Sequence, residues 1–205
     1  RGVLTADPAQ REAVGLLDGV LEGLAADKPK GLLGRLFESK SEPVRGLYLH
    51  GEVGRGKTML MDLFFAAVPI AGKRRVHFHQ FMDEIHAGMA AFRQTEKGRD
   101  ADPVEAVVRP ILKSGLRLLC LDEMHVHDIT NAMLLSRLFE KLFAGGVTLV
   151  TTSNVVPDEL YKDGLNRQLF LPFIALLKRY LTITPLPAAQ DYRWLKFAGQ
   201  HVYAF

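Results

Sequence analysis

Gly51-Glu52-Val53-Gly54-Arg55-Gly56-Lys57-Thr58 stands between an apolar run, Gly46 to Leu49, and a longer amphipathic stretch, Thr58 to Val68. It fits the phosphate-binding loop pattern, glycine, four residues, glycine, lysine and then serine or threonine, at every position. With ordinary residue usage, a chance match in a chain of this length is on the order of 1%. A strand before the loop and a helix after it make chance rarer still. The chemistry explains the residue types. Gly51, Gly54 and Gly56 let the backbone curl so that successive N–H groups face phosphate oxygens. The N-terminus of the following helix adds its dipole to that cradle. Lys57 brings a point charge to the β- and γ-phosphates, and the Thr58 hydroxyl suits Mg²⁺. Val53, Gly54, Arg55, Gly56, Lys57, Thr58 and the adjacent Met59 are therefore the expected nucleotide-binding set.

Outward from the loop, short apolar runs alternate with helical patterns. Gly46 to Leu49, Val76 to Phe78, Leu116 to Leu121, Val147 to Thr151 and Leu181 to Ile183 read as strands. Thr58 to Val68, Val104 to Lys113, Asn131 to Phe143 and Gln168 to Tyr180 read as helices. Such alternation predicts an α/β fold: βαβ units and a mostly parallel sheet with helices on both faces. Asp7-Pro8 is a helix-start signal, and Val14, Leu17, Leu21 and Leu24 recur on one helical stripe. The chain divides into an N-terminal helix and connector (1–45), a nucleotide-binding core (46–187) and a short β insertion or hairpin (188–205).

Two further strand ends carry chemistry. The run Leu116 to Leu121 delivers Asp122 to the carboxyl end of a buried strand, where α/β folds bind their ligands. Asp122 is expected to share with Thr58 the Mg²⁺ of the nucleotide, and Glu123 to polarise the water that attacks the γ-phosphate. Thr148 to Asn154 is a second strand with a polar end, which offers Asn154 as a hydrogen-bonding partner of the γ-phosphate and the attacking water. A plain turn before Pro157 is the alternative; the neighbouring Asp122-Glu123 strand favours the catalytic reading. No Asn-Lys-x-Asp run occurs, so the guanine-reading signature is missing and ATP is the favoured nucleotide.

Composition narrows the rest. At 205 residues, 48% hydrophobic and 24% charged, the chain is neither disordered nor low in complexity. No apolar run reaches the roughly 18 residues of a membrane span. The net charge is +3, with basic residues spread along the chain. Lys73-Arg74-Arg75 and Arg35 to Lys40 read as solvated faces, and no specific nucleic-acid partner is expected. Cys120 is the only cysteine, so no internal disulfide forms. His77-x-His79 and His125-x-His127 share a face if they lie on strands, but no third metal ligand stands at suitable spacing. A structural or nucleotide-proximal role is preferred for them.

Gly51 to Thr58, Leu119-Cys120-Leu121-Asp122-Glu123 and Thr152-Ser153-Asn154 together resemble the AAA+ ATPases. Within these, four stretches are similar to the ATPase-family-gene-one-like group, the family of ZapE and its mitochondrial homologues. They are Gly46-Leu47-Tyr48-Leu49-His50-Gly51, Val76-His77-Phe78-His79-Gln80-Phe81-Met82, Asp158 to Arg167, and Leu169-Phe170-Leu171-Pro172-Phe173-Ile174. The resemblance implies a P-loop NTPase core of the AAA+ type, a five-stranded sheet in the order 5-1-4-3-2, and Mg²⁺-dependent ATP hydrolysis in a ring-like homo-oligomer. It implies Arg167 as a finger reaching a neighbour's γ-phosphate in trans, with Arg179 as the weaker candidate. Asp7 and Gln10 resemble an N-terminal segment that approaches adenine, and Met124 stands where relatives often carry Phe. A helical lid would follow the core, so the chain is expected to be the nucleotide-binding part of a longer protein.

Three function classes follow. The leading one is an ATPase that remodels a protein client. For a bacterial member that client is the division-ring protein, with cytoplasmic, septal or peripheral membrane placement. A mitochondrial member would act in inner-membrane quality control. The second class is a nucleotide-gated adaptor with slow turnover. The third, a nucleic-acid loader, calls for a basic, aromatic pore loop that is not evident.

Overall fold

The computed structural model describes residues 8–26, 43–52, 56–95 and 101–186, with side chains from residue 11 onward. Asp7, most of the connector, Val53, Gly54, Arg55 and the hairpin expected at 188–205 lie outside the described residues. Helix α1 (Pro8–Ala26) comes first, and the strands and helices then alternate. They are β1 (Gly46–His50), α2 (Lys57–Ala67), β2 (Lys73–His77), α3 (Phe78–Arg93), α4 (Pro103–Lys113), β3 (Leu118–Asp122), α5 (Ile129–Ala144), β4 (Thr148–Ser153), α6 (Leu171–Tyr180) and β5 (Leu181–Pro185).

All five strands run parallel in the order β2-β3-β4-β1-β5. Read from the other edge, this is 5-1-4-3-2. Burial follows the order. β3 and β4 are buried along their whole length, whereas the edge strands β2 and β5 are only partly so. A strand covered on both faces is apolar except where its polar groups find partners; β3 therefore reads as a continuous hydrophobic run, whereas β4 flanks Leu149 and Val150 with buried threonines and a serine.

Successive strand residues point to opposite faces, and the two faces are covered by different helices. Leu47, Leu49, Leu118, Cys120 and Val150 meet Leu17, Leu21 and Leu24 of α1 and Leu60 and Phe64 of α2. Tyr48, Leu119, Leu121 and Leu149 meet α3 to α6. There Phe139 packs against Phe81, Phe143 and Phe173, with ring centroids 5.3 to 6.3 Å apart, within the range where aromatic pairs attract. Asp102 caps α4 by accepting from the Val104 N–H at 3.0 Å. Asp128 caps α5 by accepting from the Asn131 N–H at 2.8 Å.

Three local readings change. The second strand is Lys73–His77, three residues earlier than the apolar letters suggest, and Phe78 opens α3 with no loop between. His79 is therefore helical. Phe78, Phe81, Met82, Ile85 and Met89 form the buried stripe of a helix that the sequence reading leaves unassigned. Lys73-Arg74-Arg75 is not a solvated face. Lys73 Nζ donates to the carbonyls of Phe65 (2.7 Å) and Val68 (2.8 Å) at the end of α2 and sits 4.8 Å over the Phe65 ring. Arg74 pairs with Glu84 of α3, and Arg75 pairs with Asp62 and Asp122. Finally, α6 begins at Leu171, after a 3₁₀ turn at Arg167–Leu169, because Pro172 sets its first turn.

β1 and β4 approach closely at one point. A Cβ on Gly46 would lie 1.8 Å from the Leu149 carbonyl oxygen. Gly46→Ala is expected to lower stability by about 3 kcal/mol or more, the upper part of the usual point-mutant range, in urea unfolding. A loss below about 1 kcal/mol would show that the two strands can separate without cost.

Candidate functional site

The loop after β1, the start of α2 and the ends of β3 and β4 meet at the carboxyl edge of the sheet. The Gly51 N–H donates to the Ser153 carbonyl at 3.2 Å, and the Leu186 N–H donates to the His50 carbonyl at 2.7 Å. These bonds bring Leu186 so near that a Cβ at position 51 would lie 2.6 Å from its oxygen. Gly56 caps α2 in the left-handed region (φ 74°) with no side-chain cap. Glycine has no side chain to cap that first turn, and helix starts of this kind bind anions.

Lys57 is only 8% exposed. Its ammonium donates to the carbonyls of Gly51 (2.6 Å) and Glu52 (2.8 Å) and to Asn154 Oδ1 (3.0 Å). Two residues nominated from separate stretches of sequence are therefore in contact. Thr58 is exposed at the start of α2, and Met59 is half-buried against the α1–α2 core. His50, next to the loop, is pushed below the ordinary imidazole value by burial and then by the Lys57 charge.

Asp122 closes β3 with its side chain 5% exposed. Its Oδ2 accepts from Arg75 Nε at 2.7 Å, while Oδ1 is buried and has no hydrogen-bond partner among the described residues. A buried carboxylate oxygen without a hydrogen bond is costly and suits a hard cation, as does the Thr58 hydroxyl. Magnesium therefore fits these residues. Among the described residues, no three His, Cys, Asp or Glu side chains gather around a common metal position. The bond between Arg75 and Asp122 was not anticipated from the sequence.

Glu123 turns the chain out of β3 in the left-handed region (φ 57°), with its side chain 67% exposed. Hydroxyls of β4 hold it there. The Glu123 N–H donates to Thr152 Oγ1 (2.9 Å), and the Met124 N–H donates to the Thr152 carbonyl (2.7 Å). Ser153 Oγ donates to the Met124 carbonyl at 2.9 Å. Thr152 and Ser153 are thus the hinge of the Glu123 turn, a role that their place in a polar strand end did not reveal. A cleft of about 360 Å³ opens beside Glu123 and Asn154, lined also by Phe78, His79, His125 and His127. His77 Nδ1 lies 3.9 Å from Glu123 Oε2. The His125 and His127 rings meet edge to face at 3.9 Å. Burial first, and then His127, lowers the His125 pKa, which favours neutral imidazole.

The remaining nominees lie elsewhere. Arg167, on its 3₁₀ turn, donates through Nη2 to its own chain's Asp158 carbonyl, and its Nε is buried without a partner. Leu165, Leu169 and Leu171 around it are exposed. Arg179 stacks 5.1 Å over the Tyr180 ring, and its carbonyl accepts from Arg45 Nη1 at 2.9 Å. Gln10 falls within α1, but its side chain is outside the described residues.

The AFG1-like ATPase family model matches residues 1–205. The cell division protein ZapE of Escherichia coli is 41% identical over 209 residues, covering 96% of this chain and 54% of that protein. Lactation elevated protein 1 homolog B of Danio rerio is 44% identical over 173 residues, covering 80% of this chain and 34% of that protein. The chain thus spans about half or less of the length of these curated relatives. Among solved structures, domain III of the replication initiation protein DnaA from Thermotoga maritima superposes with a TM-score of 0.56 at 18% identity. It covers 92% of this chain and 67% of that one, a likeness of fold.

The Glu123 backbone supplies a direct check on the site. Holding a non-glycine residue in the left-handed region costs about 1 kcal/mol or more. Glu123→Gly is expected to raise the thermal unfolding midpoint while abolishing any turnover that needs the carboxylate. A midpoint lowered by more than glycine's own entropic cost of about 0.5–1 kcal/mol would mean that the turn carries no strain.

Proposed function

The chain belongs to the AFG1-like ATPase family and has the AAA+ P-loop fold, and from this premise we propose that it binds ATP with Mg²⁺ at the Lys57 end of the sheet and hydrolyses it. The observation that carries this reading is the 3.0 Å bond between Lys57 Nζ and Asn154 Oδ1. It puts a phosphate-binding cation and a polar strand-end amide at one point. The uncapped amides of α2 receive the phosphates. Lys57 exchanges its carbonyl partners for the β- and γ-phosphate oxygens, a stronger, charge-assisted contact. Thr58 and Asp122 would hold Mg²⁺, whose charge, when bound, offsets that of the phosphate oxygens. Glu123 reaches into the cleft and takes a proton from the attacking water, which Asn154 orients.

We extend the reading to a homo-oligomer in which Arg167 acts on a neighbour's nucleotide. Leu165, Leu169 and Leu171 support it as an exposed apolar group around the arginine. In a neighbour's site, Arg167 would exchange the Asp158 carbonyl for a phosphate. The client is read as a protein of bacterial division, because the E. coli relative is named a cell division protein. Placement in the bacterial cytoplasm or at the septum belongs to the same proposal. No described helix is long and apolar enough to cross a membrane. The adaptor alternative draws on the same geometry. With Arg167 bonded to its own chain and Lys57 to backbone carbonyls, an isolated subunit would turn over slowly.

Lys57→Ala is expected to weaken ATP binding by about 2 kcal/mol, roughly 30-fold, as for loss of a charged hydrogen bond. Glu123→Gln should keep nucleotide affinity and lose about 10²-fold or more in turnover. Equilibrium binding alongside phosphate release separates the two effects, and wild-type turnover in Glu123→Gln would remove it as the base. The rate per subunit should also rise with protein concentration and flatten in Arg167→Ala, since such fingers contribute roughly 10³-fold or more. A flat profile in the unsubstituted chain would contradict the finger in trans.

A further inference from the structure

Arg75 joins three elements through one guanidinium. It lies on edge strand β2, in register with Cys120 of β3. Its Nε donates to Asp122 Oδ2 at 2.7 Å, and its Nη1 pairs with Asp62 Oδ1 on α2. The arginine side chain is 18% exposed, against 58% for Asp62. The bond at Oδ2 fixes the rotation of the Asp122 carboxylate, leaving Oδ1, buried and without a partner, as the oxygen on offer. Asp62 sits four residues after Thr58, one turn further along the same side of α2. The guanidinium therefore spans from the strand bearing Asp122 to the helix bearing Thr58.

We propose that Arg75 is a positioning residue for the divalent cation that accompanies the nucleotide. It selects Oδ1 of Asp122 as the metal-facing oxygen, and through Asp62 it sets the spacing between the Asp122 and Thr58 ligands. The inference rests on the reading of Thr58 and Asp122 as the cation's ligands. Orientation and charge act in opposite directions here. A fixed carboxylate favours the metal, whereas the positive charge of Arg75 opposes it. Partners that orient a ligating carboxylate typically contribute 10- to 100-fold in metal affinity, and geometry prevails if Arg75 behaves as one of them. Lysine replaces it only in part, because a single ammonium lacks the planar fork that reaches two carboxylates.

The test measures the affinity of a fluorescent ADP analogue in Mg²⁺ and again in EDTA. The ratio of the two affinities is the metal coupling, and binding in EDTA reports a folded loop without the metal. Arg75→Met should lower the coupling about tenfold or more and leave the EDTA affinity unchanged. Arg75→Lys and Asp62→Ala should lower it less. If Arg75→Met no longer binds in EDTA, Asp62→Ala carries the test, since Asp62 is a surface carboxylate on a helix. Asp122→Asn is the reference and should abolish the coupling. Intact or increased coupling in Arg75→Met and Asp62→Ala, with Asp122→Asn losing it, would overturn the role of Arg75 alone. Intact coupling in Asp122→Asn as well would overturn the ligand assignment beneath it.

Discussion

A buried ammonium has to find oxygen, and Lys57 finds it on both sides of the sheet's carboxyl edge. Desolvating a charge is costly unless it is paired or hydrogen-bonded. At 8% exposure Lys57 is held by Gly51 and Glu52 from its own loop and by Asn154 from the end of β4. That requirement ties the loop to a strand nearly a hundred residues away in sequence. It also explains the rest of the local architecture. Gly51 must be glycine because Leu186 closes over it, and glycine at 56 starts α2 from the left-handed region without the strain a side chain would bring there. A phosphate arriving at the same place offers Lys57 a full negative charge where it now has carbonyl dipoles.

The hydroxyls of β4 do corresponding work for the acidic pair. Thr151 Oγ1 donates to the Leu121 carbonyl at 2.9 Å, and Thr152 and Ser153 fix Glu123 and Met124. Buried hydroxyls in a central strand need partners: Thr148 finds the Val44 carbonyl and Thr151 that of Leu121 within β3, while Thr152 and Ser153 hold the turn that follows β3. The result separates two neighbouring carboxylates by environment. Asp122 is buried and bound by an arginine, while Glu123 projects into a cleft on a strained backbone. Strain at such a turn persists only where surrounding bonds over-determine it, and β4 supplies them.

Much of this was legible in the sequence, for physical reasons. The phosphate-binding loop is local, so its glycines, lysine and threonine report on each other within eight residues. β3 was legible because burial on both faces favours a continuous apolar run. The edge strand was not. Lys73, Arg74 and Arg75 carry charge on residues that β2 uses to grip α2, α3 and β3, and only the tertiary partners reveal this. Helix α3 escaped because Val76 to Phe78 looks like a strand until the spacing of Phe81, Met82 and Ile85 is followed further. Lys57 and Asn154 were each assigned to the phosphates from their own stretches, and their contact follows from topology, since parallel crossover connections bring β4 beside β1. The bond between Arg75 and Asp122 had no sequence signal, because pairing across β2 and β3 depends on register.

Whether ATP sits at the Lys57 end of the sheet can be seen in a crystal structure of the protein grown with a non-hydrolysable ATP analogue and Mg²⁺. The β- and γ-phosphates should lie against the first turn of α2, with Lys57 Nζ moved from the Gly51 and Glu52 carbonyls onto phosphate oxygen. The cation should lie between Thr58 and Asp122. A nucleotide bound elsewhere, or one bound with Lys57 still on those carbonyls, would contradict this arrangement.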